Sequence, residues 1–353
     1  MSYQSEETLI TTIIPTYRRP KLLQRAIQSV LNQTYPHFQV CVYDNASGDE
    51  TGRVVAELAR VDSRIKYHCH SENIGSIKNF NYGMKHVETP FFSFLSDDDI
   101  LFPDFYDTAL ASLEKYPEVS FSTTKTITVN SWGKVVNIPA LNLENGFYHP
   151  PDGLLAMLKK GHPTWTGILF RSNVVDKVGL LDEEIFLCDL DYLLRTAARC
   201  SFVVSKTPGA IYVSNPSHNA EQFSFAYPSW LKIINKFKKD EYLSPDMRAH
   251  ITRVINKRLK IILLKMGLWY IILKDFENAY KINEVFSSKY NLKSLSFFLS
   301  TIMFNWRYFP KANHIGKLLY EFRQYRHHKT FYDYQEKVSE LFSILKENGS
   351  MGE

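Results

Sequence analysis

Cysteine is scarce in this chain. There are four in 353 residues (Cys41, Cys69, Cys188 and Cys200), with no C-x-x-C pair and no metal-like spacing among them. That argues against a disulfide framework and a structural zinc site, and it fits a reducing compartment. Long apolar runs are also lacking. None reaches the roughly 18–20 residues of a membrane span, and the nearest, residues 261–273, is interrupted by Lys265. Met1 to Glu7 is polar and acidic, with neither a basic n-region nor an apolar h-region, so no secretory signal and a cytoplasmic location are expected. No internal repeat and no low-complexity tract stands out.

What is present is the composition of a globular protein, 44% hydrophobic and 22% charged, in a chain long enough for two domains. Charge is divided unevenly. Residues 230–353 hold 22 Lys+Arg against 12 Asp+Glu, whereas residues 1–229 hold 20 against 25. A basic C-terminal part on a mildly acidic N-terminal part suggests two jobs.

The first hundred residues alternate apolar β-branched runs with helical spacing. Strands are expected at Leu9–Ile14, Phe38–Tyr43, Ile65–Cys69 and Phe91–Leu95, and helices at Pro20–Leu31, Thr51–Val61 and Ile77–Val87. That order implies βαβ units and a parallel sheet. Further on, the pattern gives a helix at Asp104–Tyr116, strands at Val119–Val129, Val135–Val136 and Gly167–Phe170, and helices at Gly153–Lys159, Asn173–Val178 and Leu190–Ala198. The last strands fall at Phe202–Ser205 and Ile211–Val213. From about Pro228 the chain is almost wholly helix-patterned, with Ile255, Leu259, Ile262, Leu263 and Met266 on one face and Arg253, Lys257 and Lys260 opposite. The division expected is an α/β domain over 1–228 and a helical domain over 229–353.

Three consecutive aspartates, Asp97-Asp98-Asp99, follow the fourth strand. Open α/β sheets bind ligands at the carboxyl ends of their strands. Three adjacent anions repel one another and call for a balancing cation. A divalent metal carrying phosphate oxygens meets that need, since Mg²⁺ is usually bound through one or two carboxylates plus phosphates. A solvated acidic loop before the next helix is the plainer reading of the same residues.

Several segments, in order over about residues 8–225, resemble family 2 glycosyltransferases: Pro15-Thr16-Tyr17-Arg18-Arg19, Ser29-Val30-Leu31-Asn32-Gln33-Thr34, Asp44-Asn45-Ala46-Ser47-Gly48, Asn73-Ile74-Gly75 and Leu95-Ser96-Asp97-Asp98-Asp99. The resemblance implies a GT-A fold (Rossmann-like, mostly parallel, helices on both faces), a nucleotide-diphospho-sugar donor, Mn²⁺ or Mg²⁺, and inversion at the anomeric carbon. Pro15, Thr16, Tyr17 and Arg19 would then lie under the nucleotide base, where a tyrosine ring can stack. Asp44 or Asn45 would accept from base or ribose, or else form a turn. Asn73 belongs with them, and Lys78 is either a phosphate contact or a solvated helix residue. In the D-x-D reading Asp99 ligates the metal and Asp97 holds ribose or a metal-bound water, with Asp98 able to take either role. Leu187-Cys188-Asp189-Leu190-Asp191 looks like the family's E-D-x-D segment, with Cys188 where Glu is usual. It makes Asp189 the general base and leaves Asp191 as an acceptor contact or helix cap. His218 would complete the metal shell or sit exposed in a loop. Trp165 and Thr166 fall where the acceptor is expected, Trp165 as a sugar platform or a core residue.

The basic helices read as a membrane-surface contact, a self-association surface or a plain bundle with a solvated face. The expected partners are therefore a nucleotide-sugar donor, a glycan or lipid-linked acceptor, the inner face of a membrane and a second copy of the chain. Nucleic acid is not among them, because no recognition motif accompanies the charge. Two other functions fit less well. A sugar nucleotidyltransferase would want a glycine-rich loop after strand one, and Thr16-Tyr17-Arg18-Arg19-Pro20 has no glycine. A non-catalytic nucleotide-sugar binder or scaffold would show no donor hydrolysis.

Overall fold

The computed structural model describes residues 9–137, 143–214, 222–308 and 328–347. The chain forms two units, one of residues 1–217 with 331–353 and one of residues 218–330.

The first unit is built on one mixed sheet. Strands β1 (Ile10–Thr16), β2 (Phe38–Asp44), β3 (Ile65–Cys69) and β4 (Phe91–Phe94) are mutually parallel in the order β3-β2-β1-β4. Helices α1 (Pro20–Leu31), α2 (Thr51–Val61) and α3 (Ser76–Lys85) make the crossovers. The chain winds outward from β1 to β3 and then returns to place β4 on the other side of β1. That reversal is a topological switch point, where such sheets open a crevice at their carboxyl ends. Ile10, Ile14, Leu23, Ile27, Phe38 and Phe91 fill the core beneath it.

Beyond β4 the sheet is no longer purely parallel. β9 (Ile168–Arg171) is antiparallel to both β4 and β6 (Phe121–Val129). β10 (Phe202–Val213) runs parallel to β6 and antiparallel to the short β5 (Ile100–Leu101) and β8 (Gly146–Tyr148), and β7 (Val135–Asn137) pairs with β6. The two pieces read separately at Phe202–Ser205 and Ile211–Val213 are one strand. Its register shifts around Pro208, which cannot donate to the ladder. Helices α4 (Phe105–Lys115), α5 (Asp152–Lys160), α6 (Val174–Val178) and α7 (Cys188–Arg199) complete this part.

The second unit contains α8 (Gln222–Lys239), α9 (Pro245–Ile272), α10 (Phe276–Ser288) and α11 (Lys293–Tyr308). Ile255, Leu259 and Leu263 are buried along α9, as its periodicity requires. Ser244 caps α9 by accepting from the Met247 amide at 3.2 Å, and Pro245 takes the first helical position, where no amide is needed. No described helix is long and apolar enough to cross a membrane.

The division differs from the expected one in two ways. Pro228 lies inside α8 and is not a boundary. The last helix, α12 (His328–Glu347), belongs from Phe331 onward to the sheet unit. Its Val338, Leu341 and Leu345 pack with Ile127, Val129, Ile211 and Val213 of β6 and β10. Gln335 ties it further, accepting from the Val135 amide at 2.8 Å and donating to the Gly133 carbonyl at 3.1 Å.

Candidate functional site

The acid corner straddles the switch point. Thr16 ends β1, Asp97 follows β4, and the Thr16 hydroxyl donates to Asp97 Oδ2 at 2.8 Å. Arg19 Nη1 stands 3.2 Å from both Asp97 Oδ1 and Asp98 Oδ2. Behind the loop, Arg25 Nη2 donates to the Asp98 carbonyl at 2.7 Å, its guanidinium stacked over Phe342 of α12 at 5.4 Å. Two arginines therefore supply countercharge that the bare sequence assigned to a metal. Burial nevertheless pushes Asp97 above the ordinary carboxylate range, against the pull of Thr16 and Arg19.

Asp99 faces the other way. It is 1% exposed, accepting from the Val213 amide at 2.9 Å and from the Thr166 hydroxyl. Burial, reinforced by Asp98, pushes it up to about 7. Its two oxygens join β10 and the loop before β9, so the carboxylate expected to ligate a metal is an internal brace. Asp98, half-buried at the rim, shares the Arg19 cation with Asp97.

The loops around this corner are bound to each other. Asn45 accepts from the Ile74 amide at 2.8 Å and donates to Asn73 Oδ1 at 2.9 Å, and Gly75 donates to the same Asn73 oxygen. Gly75 has φ +88°, a conformation that favours glycine. Asp44 is buried, accepting from the amide and hydroxyl of Ser47 and from Tyr67 at 2.6 Å. It organises the turn, the alternative to ribose binding. Arg18, which has no separate role in the motif, is held at φ +56° by Ser47 and lies 5.0 Å from the centroid of the exposed Tyr17 ring. Pro15 lies at the end of β1, and Lys78 is exposed in the first turn of α3. Ser29 and Gln33 secure the chain just past the acids. Ser29 accepts from the Leu101 amide, and Gln33 donates to the Phe102 carbonyl at 2.6 Å and accepts from the Tyr106 amide.

Asp189 is half-buried in the first turn of α7. Its neighbour Cys188 is pushed up to about 12 by burial and by the Asp189 charge. Asp191 is fully buried and paired with Arg195 at 2.8 Å, while Arg195 also donates to the Val178 and Leu180 carbonyls. It locks α7 to α6 and is not an acceptor contact. Trp165, 7% exposed, stacks on Phe94 with centroids 4.0 Å apart and touches Phe80 and Tyr192 edge-on. That makes it a core tryptophan and not a sugar platform. Thr166 is spent on Asp99. His218 lies outside the described residues.

One residue relates the two acidic centres, and sequence reading passed it over. Tyr212, near the end of β10, has a phenol raised above its ordinary value by burial and by the charges of Asp99, Asp98 and Asp189. The acid corner and Asp189 thus act on one hydroxyl. The only sequence signal was its place one residue before the end of the last strand.

Comparison with known proteins supports the same reading. Residues 11–179 match the model of glycosyl transferase family 2. An uncharacterized glycosyltransferase of Rickettsia conorii is 32% identical over 144 residues, 41% of this chain and 23% of the relative. A GalNAc(5)-diNAcBac-PP-undecaprenol beta-1,3-glucosyltransferase of Campylobacter jejuni is 38% identical over 93 residues, 26% of this chain and 30% of the relative. The chain thus spans less than a third of the length of these curated relatives. Residues 1–349 of S. aureus TarS, solved with UDP-GlcNAc, superpose with a TM-score of 0.58 at 19% identity, covering 87% of this chain and 92% of that one. A mannosyltransferase from Pyrobaculum calidifontis, solved with GDP-Man and Mn²⁺, gives 0.54 at 14% identity, covering 98% and 88%. The expected GT-A architecture is the one observed.

Proposed function

We propose, from the match of residues 11–179 to the model of glycosyl transferase family 2, that the chain is an inverting, metal-dependent glycosyltransferase that uses a nucleotide-diphospho-sugar, with UDP-sugar the first donor to test. The observation that carries the proposal is the acid corner at the switch point, where Arg19 Nη1 stands 3.2 Å from both Asp97 and Asp98; the Asp98, Asp99 and Asp189 charges, which all raise the Tyr212 phenol, support it. The nucleotides held by TarS and by the mannosyltransferase support the donor class.

In this reading Asp189 approaches the acceptor hydroxyl to about 2.6–3.2 Å and takes its proton. The oxygen attacks the anomeric carbon from the face opposite the diphosphate. The new glycosidic bond forms as the bond to the diphosphate oxygen breaks, and the configuration inverts in a single displacement. Asp97 and Asp98 fit a divalent ion, because their oxygens already share the cationic Arg19 Nη1 at 3.2 Å and one or two carboxylates with phosphates suffice for Mg²⁺. Such an ion would neutralise charge on the departing diphosphate as a Lewis acid. In the same reading Arg19 would pair with that diphosphate and Tyr17 would stack its ring on the base.

The acceptor proposed is a hydroxyl of a glycan or lipid-linked glycan, the class named for the Campylobacter relative. The helical unit offers a matching lipid-surface contact on the inner face of a membrane. Phe297, Phe298 and Phe304 of α11 are exposed in a unit with 20 Lys+Arg and 8 Asp+Glu.

The deciding experiment incubates the full chain with UDP-, GDP- and dTDP-sugars and Mn²⁺ and measures release of nucleoside diphosphate. Release from one donor class, lost in Asp98→Asn, is the expected result. Binding without any release from any donor would leave a nucleotide-sugar binder instead.

A further inference from the structure

None of the three acceptor residues named from the sequence reaches solvent, Trp165 being in the aromatic core, Thr166 bonded to Asp99 and Asp191 in a buried ion pair. The acceptor side of the cleft therefore lacks an assigned contact, and β10 supplies one. Along this strand side chains alternate between the faces of the sheet. Ile211 and Val213 enter the core shared with α12, whereas Ala210 enters the core beneath the switch point. Tyr212 follows Ala210 on that second face, at the carboxyl end where the core gives out, and is 42% exposed. Its backbone is fixed on both sides. Tyr212 pairs with Thr128 of β6, and the adjacent Val213 amide is bonded to Asp99. An exposed ring on a rigid strand, next to the Asp99 brace of the donor corner, is open to a sugar at the carboxyl end of the sheet.

We propose that Tyr212 is the acceptor platform: its ring face receives a pyranose of the acceptor glycan, and its hydroxyl donates a hydrogen bond to that sugar or to the oxygen that Asp189 deprotonates. This rests on the transferase reading and extends it to a residue with no earlier role. A tyrosine phenol is protonated at neutral pH, so it serves as a donor and leaves proton removal to Asp189. An aromatic ring contributes contact area at low entropic cost, and a neutral O–H among anions can be satisfied by a sugar hydroxyl.

The test uses the full chain with UDP-GlcNAc, Mn²⁺ and p-nitrophenyl glycosides of glucose, galactose and N-acetylglucosamine as acceptor probes. Y212A should raise the KM for the glycoside used about tenfold, the equivalent of about 1.4 kcal/mol. UDP affinity and donor hydrolysis by water should change less than about twofold. Y212F, which keeps the ring, should fall between wild type and Y212A, and Y212S guards against a folding defect peculiar to alanine. The assignment is overturned if acceptor KM is unchanged in Y212A, or if UDP affinity falls in parallel with it. A wild-type protein that hydrolyses UDP-GlcNAc yet neither glycosylates any probe nor binds one in the presence of UDP overturns it as well, leaving the transferase reading intact. A wild-type protein inert towards every nucleotide-sugar removes both.

Discussion

Of the 42 Lys and Arg in this chain, 20 lie in residues 218–330 against 8 Asp and Glu, whereas residues 1–217 with 331–353 hold 22 against 29. The two units also use their charges differently. In the sheet unit the acids are gathered and braced. Asp97 and Asp98 share Arg19, Asp99 holds Thr166 and Val213, and Asp191 holds Arg195. In the helical unit lysines lie over aromatic faces, Lys260 over Tyr290 at 4.7 Å and Lys289 over Tyr227 at 5.2 Å, and described acids such as Asp275 cap helices. The function proposed above gives chemistry to the acidic unit and surface contacts to the basic one. Carboxylate substitutions in the two units should therefore differ in kind.

The largest effect belongs to Asp189. Asp189→Asn should lower turnover by about 10²–10⁴-fold while leaving UDP affinity unchanged. Steady-state transfer rates beside calorimetric UDP binding check this, and unchanged turnover would remove Asp189 as base. Next is the buried pair beneath it. Arg195→Met leaves Asp191 charged and fully enclosed, which should destabilise the sheet unit by about 3–5 kcal/mol. Denaturant unfolding gives the number, and a loss below about 1 kcal/mol would mean that Asp191 is stabilised without its arginine.

These two neighbours show how far the sequence could be read. The spacing of Asp189 and Asp191 was plain, yet nothing in it told the rim carboxylate from the buried one. Burial is decided by Val178 and Leu180, whose carbonyls hold Arg195 from another segment. The same holds for Asp98 and Asp99, adjacent in sequence and opposite in direction. Strands β1 to β4 and helices α1 to α3 were legible because each contains its own periodic apolar pattern. β5 and β8 were not, since two or three residues become strands only by pairing with β10. The helical pattern after Pro228 extended over α12 but could not say that this helix meets β6 and β10. Trp165 shows the same limit, a tryptophan beside a site whose ring turns into Phe94.

Asp99 gives a smaller effect with a distinctive pH dependence. Its pKa is raised from the ordinary value to about 7 by burial, so the folded state prefers the neutral acid. The stability it lends is complete below the ordinary carboxylate range and is lost as pH rises through about 7. Asp99→Asn keeps an acceptor for Val213 without the buried charge. In metal-free buffer the variant should be more stable than wild type at pH 8, by on the order of 2 kcal/mol more than at pH 5. Melting curves at the two pH values decide it. A variant less stable at both would show that the anion is needed as a brace.

The smallest effect tests the basic unit. Asp275 caps α10, accepting from the Asn278 amide at 3.2 Å and from the Asn278 side chain at 2.7 Å. Asp275→Ala frees the Asn278 amide and should cost about 1 kcal/mol. It also makes the unit more basic by one charge, which should leave binding to anionic phosphatidylglycerol vesicles unchanged or slightly stronger, and weaker again as salt screens it. Turnover on a soluble acceptor should not change. If it falls with stability nearly intact, the acids of the helical unit take part in the reaction, and the division of labour drawn from the charge count is wrong. If turnover holds while vesicle binding responds to salt, the charge count identified which unit meets the surface, where the helical pattern had misplaced α12.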